Sequence, residues 1–272
     1  MHLFVPSLGR TARDEIMRGP LPRIPATYRD RTYIVVPFGQ GEAYRAALHA
    51  LDLSWVRIEE TPHNLKGIGP TRHWIGMFAK ACAADKFVMM DDDIDFLVRK
   101  GLDDWRLRAQ TEDDTIEMFA HMEALLNDHA SVGISSREGN NRAGVGGPRD
   151  ASMVAVATRV MRMFGCRTAD WLEMEHGRVE VMEDFDLQLQ LLRAGRSNCC
   201  MFYYANGQKQ TNLPGGCSTY RTHEVQDVSA RQLKALHPEF VSLRKKENKT
   251  DKDGLGTRTE VTIQWKRAAG LR

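Results

Sequence analysis

Across the first 190 residues, short apolar runs alternate with longer stretches in which apolar positions recur every three or four residues. "LFVPS" (3–7), "TYIVVPF" (32–38), "SWVRIEE" (54–60) and "KFVMM" (86–90) are rich in β-branched and aromatic residues, and each ends in turn or polar chemistry, as strands do. Between them, "GEAYRAALHAL" (41–51) and "PTRHWIGMFAKACAA" (70–84) carry helical spacing. The second opens on a Gly-Pro pair, which suits a first helical turn. A strand–helix–strand rhythm predicts an α/β chain with a mostly parallel sheet flanked by helices. Ligands in such sheets collect at the carboxyl ends of the strands.

Further along, residues 112–130 predict a helix, and "ASVGISSREGNNRAGVGGPRD" (130–150) a strand followed by a glycine-rich polar loop of the kind that often binds ligands. "ASMVAVATRVMRMFG" (151–165) reads as a strand and a short helix. "EDFDLQLQLLRAG" (183–195) is a helix with acids in its first turn and glycine at its end. "NCCMFYYA" (198–205) is a strand, and a helix follows near 226–238. The last segment is charged and then strand-like. One domain over 1–240 with a basic extension over 241–272 is the expected organisation.

Composition narrows the class only a little. With 42% hydrophobic residues in 272, a sizeable core is available, and 38 Lys and Arg against 36 Asp and Glu neither demand nor exclude a nucleic-acid partner. No apolar stretch approaches the roughly 18–20 residues of a membrane span, so no membrane partner is expected. The five cysteines, two of them adjacent, fit neither a disulfide framework nor a CxxC zinc knuckle. Reduced thiols and a cytoplasmic location are expected.

The chemistry begins at "DDDID" (91–95), directly behind the fourth strand. Carboxylates this close repel one another unless a cation or a solvent shell lies among them. An EF-hand loop would need glycine where Phe96 stands and glutamate where Leu102 stands, so that reading fails. A DxDxT phosphatase lacks its threonine. The DDxxD of prenyl synthases is matched by Asp91, Asp92 and Asp95 but belongs to helical proteins. A DxD pair after a strand, Asp91 and Asp93, suits a hard cation that leaves positions for phosphate oxygens, and such a cation neutralises a departing diphosphate. The bland alternative is a solvated acidic turn.

Other residues fit the same chemistry. Ser7 and Arg10 stand on the loop after the first strand. Arg72 stands at a helix start, where both guanidinium and helix dipole favour phosphate. Glu183 and Asp184 open a late helix; the helix dipole alone explains acids there, yet a carboxylate at that point can take the proton of an attacking hydroxyl.

The ordered set "VPSLGR", "GIGPTRHWI", "FVMMDDDIDF", "SMVAVATR", "EDFDLQLQLLRAG" resembles the GT-A glycosyltransferases over roughly residues 3–240, and most of all the phage-encoded TET-associated glycosyltransferases. The resemblance implies a UDP-sugar donor and Mn²⁺ or Mg²⁺, with Asp91 and Asp93 serving the metal and Asp91 and Asp92 the nucleotide-sugar. It further implies Asp184, beside Glu183, as the base of an inverting transfer. It implies a histidine metal ligand from a C-terminal loop, for which His223 is the candidate, and a loop "PGGCSTYR" (214–221), with Gly216, closing over the donor. The acceptor it implies is DNA carrying hydroxymethylated pyrimidines, in phage DNA modification. Arg142, Arg221 and Trp171 are the candidate acceptor contacts. Lys245, Lys246, Lys249, Lys252 and Arg258 in the tail, with Arg137 and Arg149 in the glycine-rich loop, are candidate phosphate contacts. Core packing is the first reading for each of Trp171, Tyr220 and His73, and stacking on a flipped base is the alternative. A nucleotidyltransferase, a transferase with a non-DNA hydroxyl acceptor, and an inactive DNA-binding relative stand beside this reading; the nucleotidyltransferase lacks its glycine-rich first loop, since "VPSLGR" holds only Gly9.

Overall fold

The computed structural model describes residues 1–101, 104–140, 153–208, 222–247 and 257–271. In chain order these form β1 (His2–Pro6), α1 (Arg13–Arg18), β2 (Thr32–Val36), α2 (Gly41–His49), β3 (Arg57–Glu60), α3 (Ile68–Ala81), β4 (Lys86–Met90), β5 (Ile94–Arg99), β6 (Leu107–Ala109) and α4 (Glu112–Leu125). There follow β7 (Ser131–Ser136), α5 (Arg137–Asn140), β8 (Val154–Val156), β9 (Met163–Arg167), α6 (Thr168–Leu172), α7 (Glu183–Arg193), β10 (Asn198–Gln208), α8 (His223–Leu236), β11 (Val241–Glu247), β12 (Thr257–Ile263) and α9 (Trp265–Ala268).

Among the described residues the main sheet has ten strands in the order β3-β2-β1-β4-β9-β7-β10-β5-β6, with β8 pairing β10. Following the pairings across it, β9, β5 and β8 run against the remaining strands, so the sheet is mixed but mostly parallel. Period-2 alternation makes the two faces. On β1, Leu3 and Val5 point into one core with Val88 and Met90 of β4, under α4. Phe4, with Phe87 and Met89 of β4, points into a second core under α3, α6 and α7, where Ile75, Trp171 and Leu187 are buried. A third cluster joins α7 and α8 to the β11–β12 hairpin and α9, through Leu189, Ala230, Leu233, Val241 and Ala268.

Two readings of the sequence change here. Residues 163–165, expected at the end of a short helix, open strand β9, because β9 fills the gap between β4 and β7 and pairs antiparallel with both. Residues 94–99 behind the aspartates, for which the sequence pattern predicts no element, are strand β5; Ile94, Phe96 and Val98 are buried and pair with β10.

Trp171 is also corrected. It is 1% exposed, packs edge-on to Phe87 at 6.1 Å between centroids, and donates its indole N–H to the Arg72 carbonyl at 3.2 Å. It has no face to offer a base. A Cβ at Gly76 would lie 2.3 Å from Trp171 Cδ1, which is why glycine stands where α3 crosses the indole. His73 is stacked at 4.4 Å and 5° on His176.

Candidate active site

The carboxyl ends of β1, β2 and β4 open on one side of the sheet, and the first turns of α3 and α7 face them. A cavity of about 450 Å³ lies there, lined by Ser7, Arg10, Arg72, Asp91, Asp92, Asp93, Glu183 and Asp184 among others. That size suits a small-molecule ligand. Ser7 and Asp184, 177 positions apart in sequence, thus meet at one place.

The three consecutive aspartates have three different surroundings. Asp91 continues the β4 ladder by one step: its N–H donates to the Arg162 carbonyl at 2.8 Å, and its Oδ1 accepts from Arg72 Nη2 at 3.0 Å. Asp92 turns inward. Its Oδ2 accepts from Ser7 Oγ at 2.5 Å, its Oδ1 pairs with Arg10 Nη1, and Ser7 is itself held by the Tyr44 hydroxyl at 2.7 Å. Gly19 lies against the same turn, where a Cβ would meet the Asp92 carbonyl oxygen at 2.2 Å. Asp93 Oδ2 lies 3.1 Å from Arg10 Nη1 and accepts from Gln208 Nε2 at 2.9 Å. Burial pushes the Asp91 carboxyl up to about 6, against the pull of Arg72, and the Asp92 carboxyl up to about 7, against Arg10 and the Ser7 hydrogen bond.

Glu183 and Asp184 also part company. Met182, with φ of 68°, puts an L-residue in the left-handed region and turns the chain sharply into α7. Glu183 is buried and binds Arg72 Nη1 at 2.5 Å, so Arg72 bridges the start of α7 to Asp91. The guanidinium sits 5.3 Å over the Phe164 ring. Burial, reinforced by the neighbouring Asp184 and Asp91, raises the Glu183 carboxyl above its usual range despite Arg72. Asp184 is half-buried, lines the cavity and accepts only from the Phe185 N–H of its own helix, at 3.0 Å, among the described residues.

The donor set fits a hard divalent cation. Arg72 engages Oδ1 of Asp91, while Arg10 and Gln208 engage Oδ2 of Asp93; the second oxygen of each carboxylate accepts no hydrogen bond among the described residues. Two carboxylates completed by phosphate oxygens and water are a usual magnesium-type environment. No described group of three or more His, Cys, Asp and Glu side chains is arranged as a metal site. His223 opens α8, is exposed, and is not among the lining residues. Gly216, Arg142, Arg221, Tyr220, Arg149, Lys249 and Lys252 lie outside the described residues, as does the side chain of Arg258. Sequence reasoning missed Gln208 and Arg162. Gln208 ends an eleven-residue strand that runs past the apolar stretch, and Arg162 carries no local motif.

A mostly parallel mixed sheet flanked by helices is the Rossmann-like fold of the GT-A glycosyltransferases. Residues 1–216 match the model of the TET-associated glycosyltransferases, and the chain belongs to that family; it is a glycosyltransferase. Among solved structures it is similar to S. aureus TarS in complex with UDP-GlcNAc, at 12% identity and a TM-score of 0.50, over 86% of this chain and 67% of that one. It is also similar to a mannosyltransferase from Pyrobaculum calidifontis in complex with GDP-Man and Mn²⁺, at 12% identity and a TM-score of 0.49, over 86% of this chain and 62% of that one. No curated protein matches it in sequence. Among the described residues no helix is long and apolar enough to cross a membrane.

Proposed function

We propose that the protein transfers a sugar from a UDP-sugar to the hydroxyl of a hydroxymethylated pyrimidine in DNA, with inversion and with a divalent cation at Asp91 and Asp93. The observation that carries this reading is the meeting, in one cavity, of the strand-end aspartates, Arg72 and the half-buried Asp184. The ends of β1, β2 and β3, with Ser7, Pro37 and Thr61, form the wall for the nucleoside. The cation, when bound, neutralises the charge that develops on the departing diphosphate.

Each side chain then has a task. Arg10 and Arg72 turn guanidinium donors toward the diphosphate. Asp92 is the anchor that holds Ser7 and Arg10 in place. Glu183 fixes Arg72, and Asp184 takes the proton of the attacking hydroxyl. Inversion follows from a single displacement with Asp184 on the face opposite the diphosphate.

The DNA acceptor draws on the family and on charge. Residues 241–272 hold nine Lys and Arg against four Asp and Glu, so residues 1–240 are net acidic. Arg244, Lys245 and Lys246 are exposed on the β11–β12 hairpin that packs against α8. Such a ribbon supplies sequence-independent phosphate contacts. The test is release of UDP with hydroxymethylcytosine-containing DNA or unmodified DNA, with and without Mn²⁺. Release stimulated by the modified DNA and abolished in Asp184→Asn supports the reading; equal release with both DNAs removes the acceptor.

A further inference from the structure

Arg162 belongs to none of the tasks above, yet its position is tightly specified. It opposes Asp91 one step beyond the β4–β9 ladder, where Met90 pairs with Met163, and its carbonyl accepts the Asp91 N–H. Its φ of 64° is a left-handed conformation that costs a residue with a Cβ. The turn delivers the guanidinium to the cavity wall, 17% exposed.

Across the sheet, β3, β2 and β1 lie on one side of β4, and β9 on the other. Arg162 is therefore separated from the proposed nucleoside wall by the aspartate cluster. It shares its side with Met161, Met182, Glu183 and Asp184 and is the one cationic residue among the described lining residues of β9, α7 and the turns before them. Three carboxylates there, Asp91, Glu183 and Asp184, would repel an anionic acceptor. Among the described residues the ion-pair partner of Arg162 is a surface residue, Glu138, 60% exposed and 3.3 Å away. With one member that open to solvent, the pair is screened and exchanges readily. By contrast Arg72, 5% exposed, is held by two acids of the site itself.

We infer that Arg162 is the acceptor-specificity residue: its guanidinium leaves Glu138 to bind a phosphodiester flanking the hydroxyl that receives the sugar. This rests on the proposed acceptor side of the cavity. It makes the enzyme select a nucleotide within a strand over the free nucleoside.

The test uses full-length protein saturated with UDP and Mn²⁺ and titrated with two probes, hydroxymethyldeoxycytidine and its phosphodiester-linked trinucleotide. Binding is read by calorimetry, so that absence of sugar transfer, which would sink the proposed function, does not decide this measurement. Wild type is expected to favour the trinucleotide. Arg162→Ala should weaken trinucleotide binding by about tenfold or more, the scale of one lost charge-assisted hydrogen bond. Arg162→Lys should restore part of it. Glu138→Gln should strengthen it, because the competing carboxylate is gone; a merely structural ion pair would give no gain. No trinucleotide binding by wild type, equal binding by wild type and Arg162→Ala, or weakened binding in Glu138→Gln would overturn the inference. So would an equal loss of UDP affinity in Arg162→Ala, which would put the guanidinium on the donor.

Discussion

Two adjacent acids, Glu183 and Asp184, should respond in opposite ways to loss of charge. Arg72 and Glu183 face each other with side chains 5% and 9% exposed, at 2.5 Å. Removing one member of a buried pair strands the other charge, at about 3–5 kcal/mol. Asp91, 28% exposed, retains its 3.0 Å contact with Arg72 and takes up part of that charge. Glu183→Ala should therefore cost about 2–3 kcal/mol, at or just below the bottom of that range. For a chain of this size that lowers the melting temperature by roughly 5–10 °C. Glu183→Gln keeps an acceptor oxygen and should cost less than Glu183→Ala. Asp184 has no ion pair among the described residues, so Asp184→Asn should stay within about 0.5 kcal/mol of wild type. Its transfer rate should fall by about 10²–10⁴, as for loss of a general base. Urea unfolding and initial rates on the same preparations separate the two. A Glu183→Ala protein as stable as wild type, or an Asp184→Asn protein that unfolds early, would refute this division of roles.

Asp93→Ala should abolish Mn²⁺-dependent transfer while the fold persists, since Asp93 is only partly buried; circular dichroism and UDP release check both. Burial raises the Asp92 and Asp91 carboxyls to about 7 and about 6, so the folded state holds these protons more tightly than the unfolded chain. Their contribution to stability is then greatest at low pH and is lost as pH rises from about 4 to about 7. Urea midpoints across that interval should show a smaller loss in Asp92→Asn than in wild type, and an identical pH dependence would argue against it. Gly76→Ala should destabilise by about 1–3 kcal/mol, because its Cβ would meet the Trp171 ring, and should also lower transfer, because that indole holds the Arg72 carbonyl. Thermal unfolding and initial rates on one preparation show whether both fall.

Much of this site was legible because its strands announce their own ends. "LFVPS", "TYIVV" and "KFVMM" are short, doubly buried runs, and the aspartates had to stand at a strand's carboxyl end once the rhythm was read. The mixed half of the sheet was not legible. β9 lies between β4 and β7 by long-range pairing, and nothing within Met163–Arg167 says so. β5 did alternate, with Ile94, Phe96 and Val98 inward, but the acids around it masked the pattern. Roles within "DDD" and "ED" depend on which oxygen meets which arginine across more than a hundred residues, as Arg72 meets Glu183. Trp171 shows a choice the sequence leaves open: it could stack on a flipped base or pack in the core, and packing against Gly76 buries it.

The most direct measurement is mass analysis of nucleosides digested from hydroxymethylcytosine-containing DNA after incubation with the protein, a panel of UDP-sugars and Mn²⁺. The account predicts a gain of one sugar on hydroxymethylcytosine that requires the metal and disappears in Asp93→Ala. An unmodified nucleoside profile across the whole panel, from protein that binds UDP and the DNA, would contradict it.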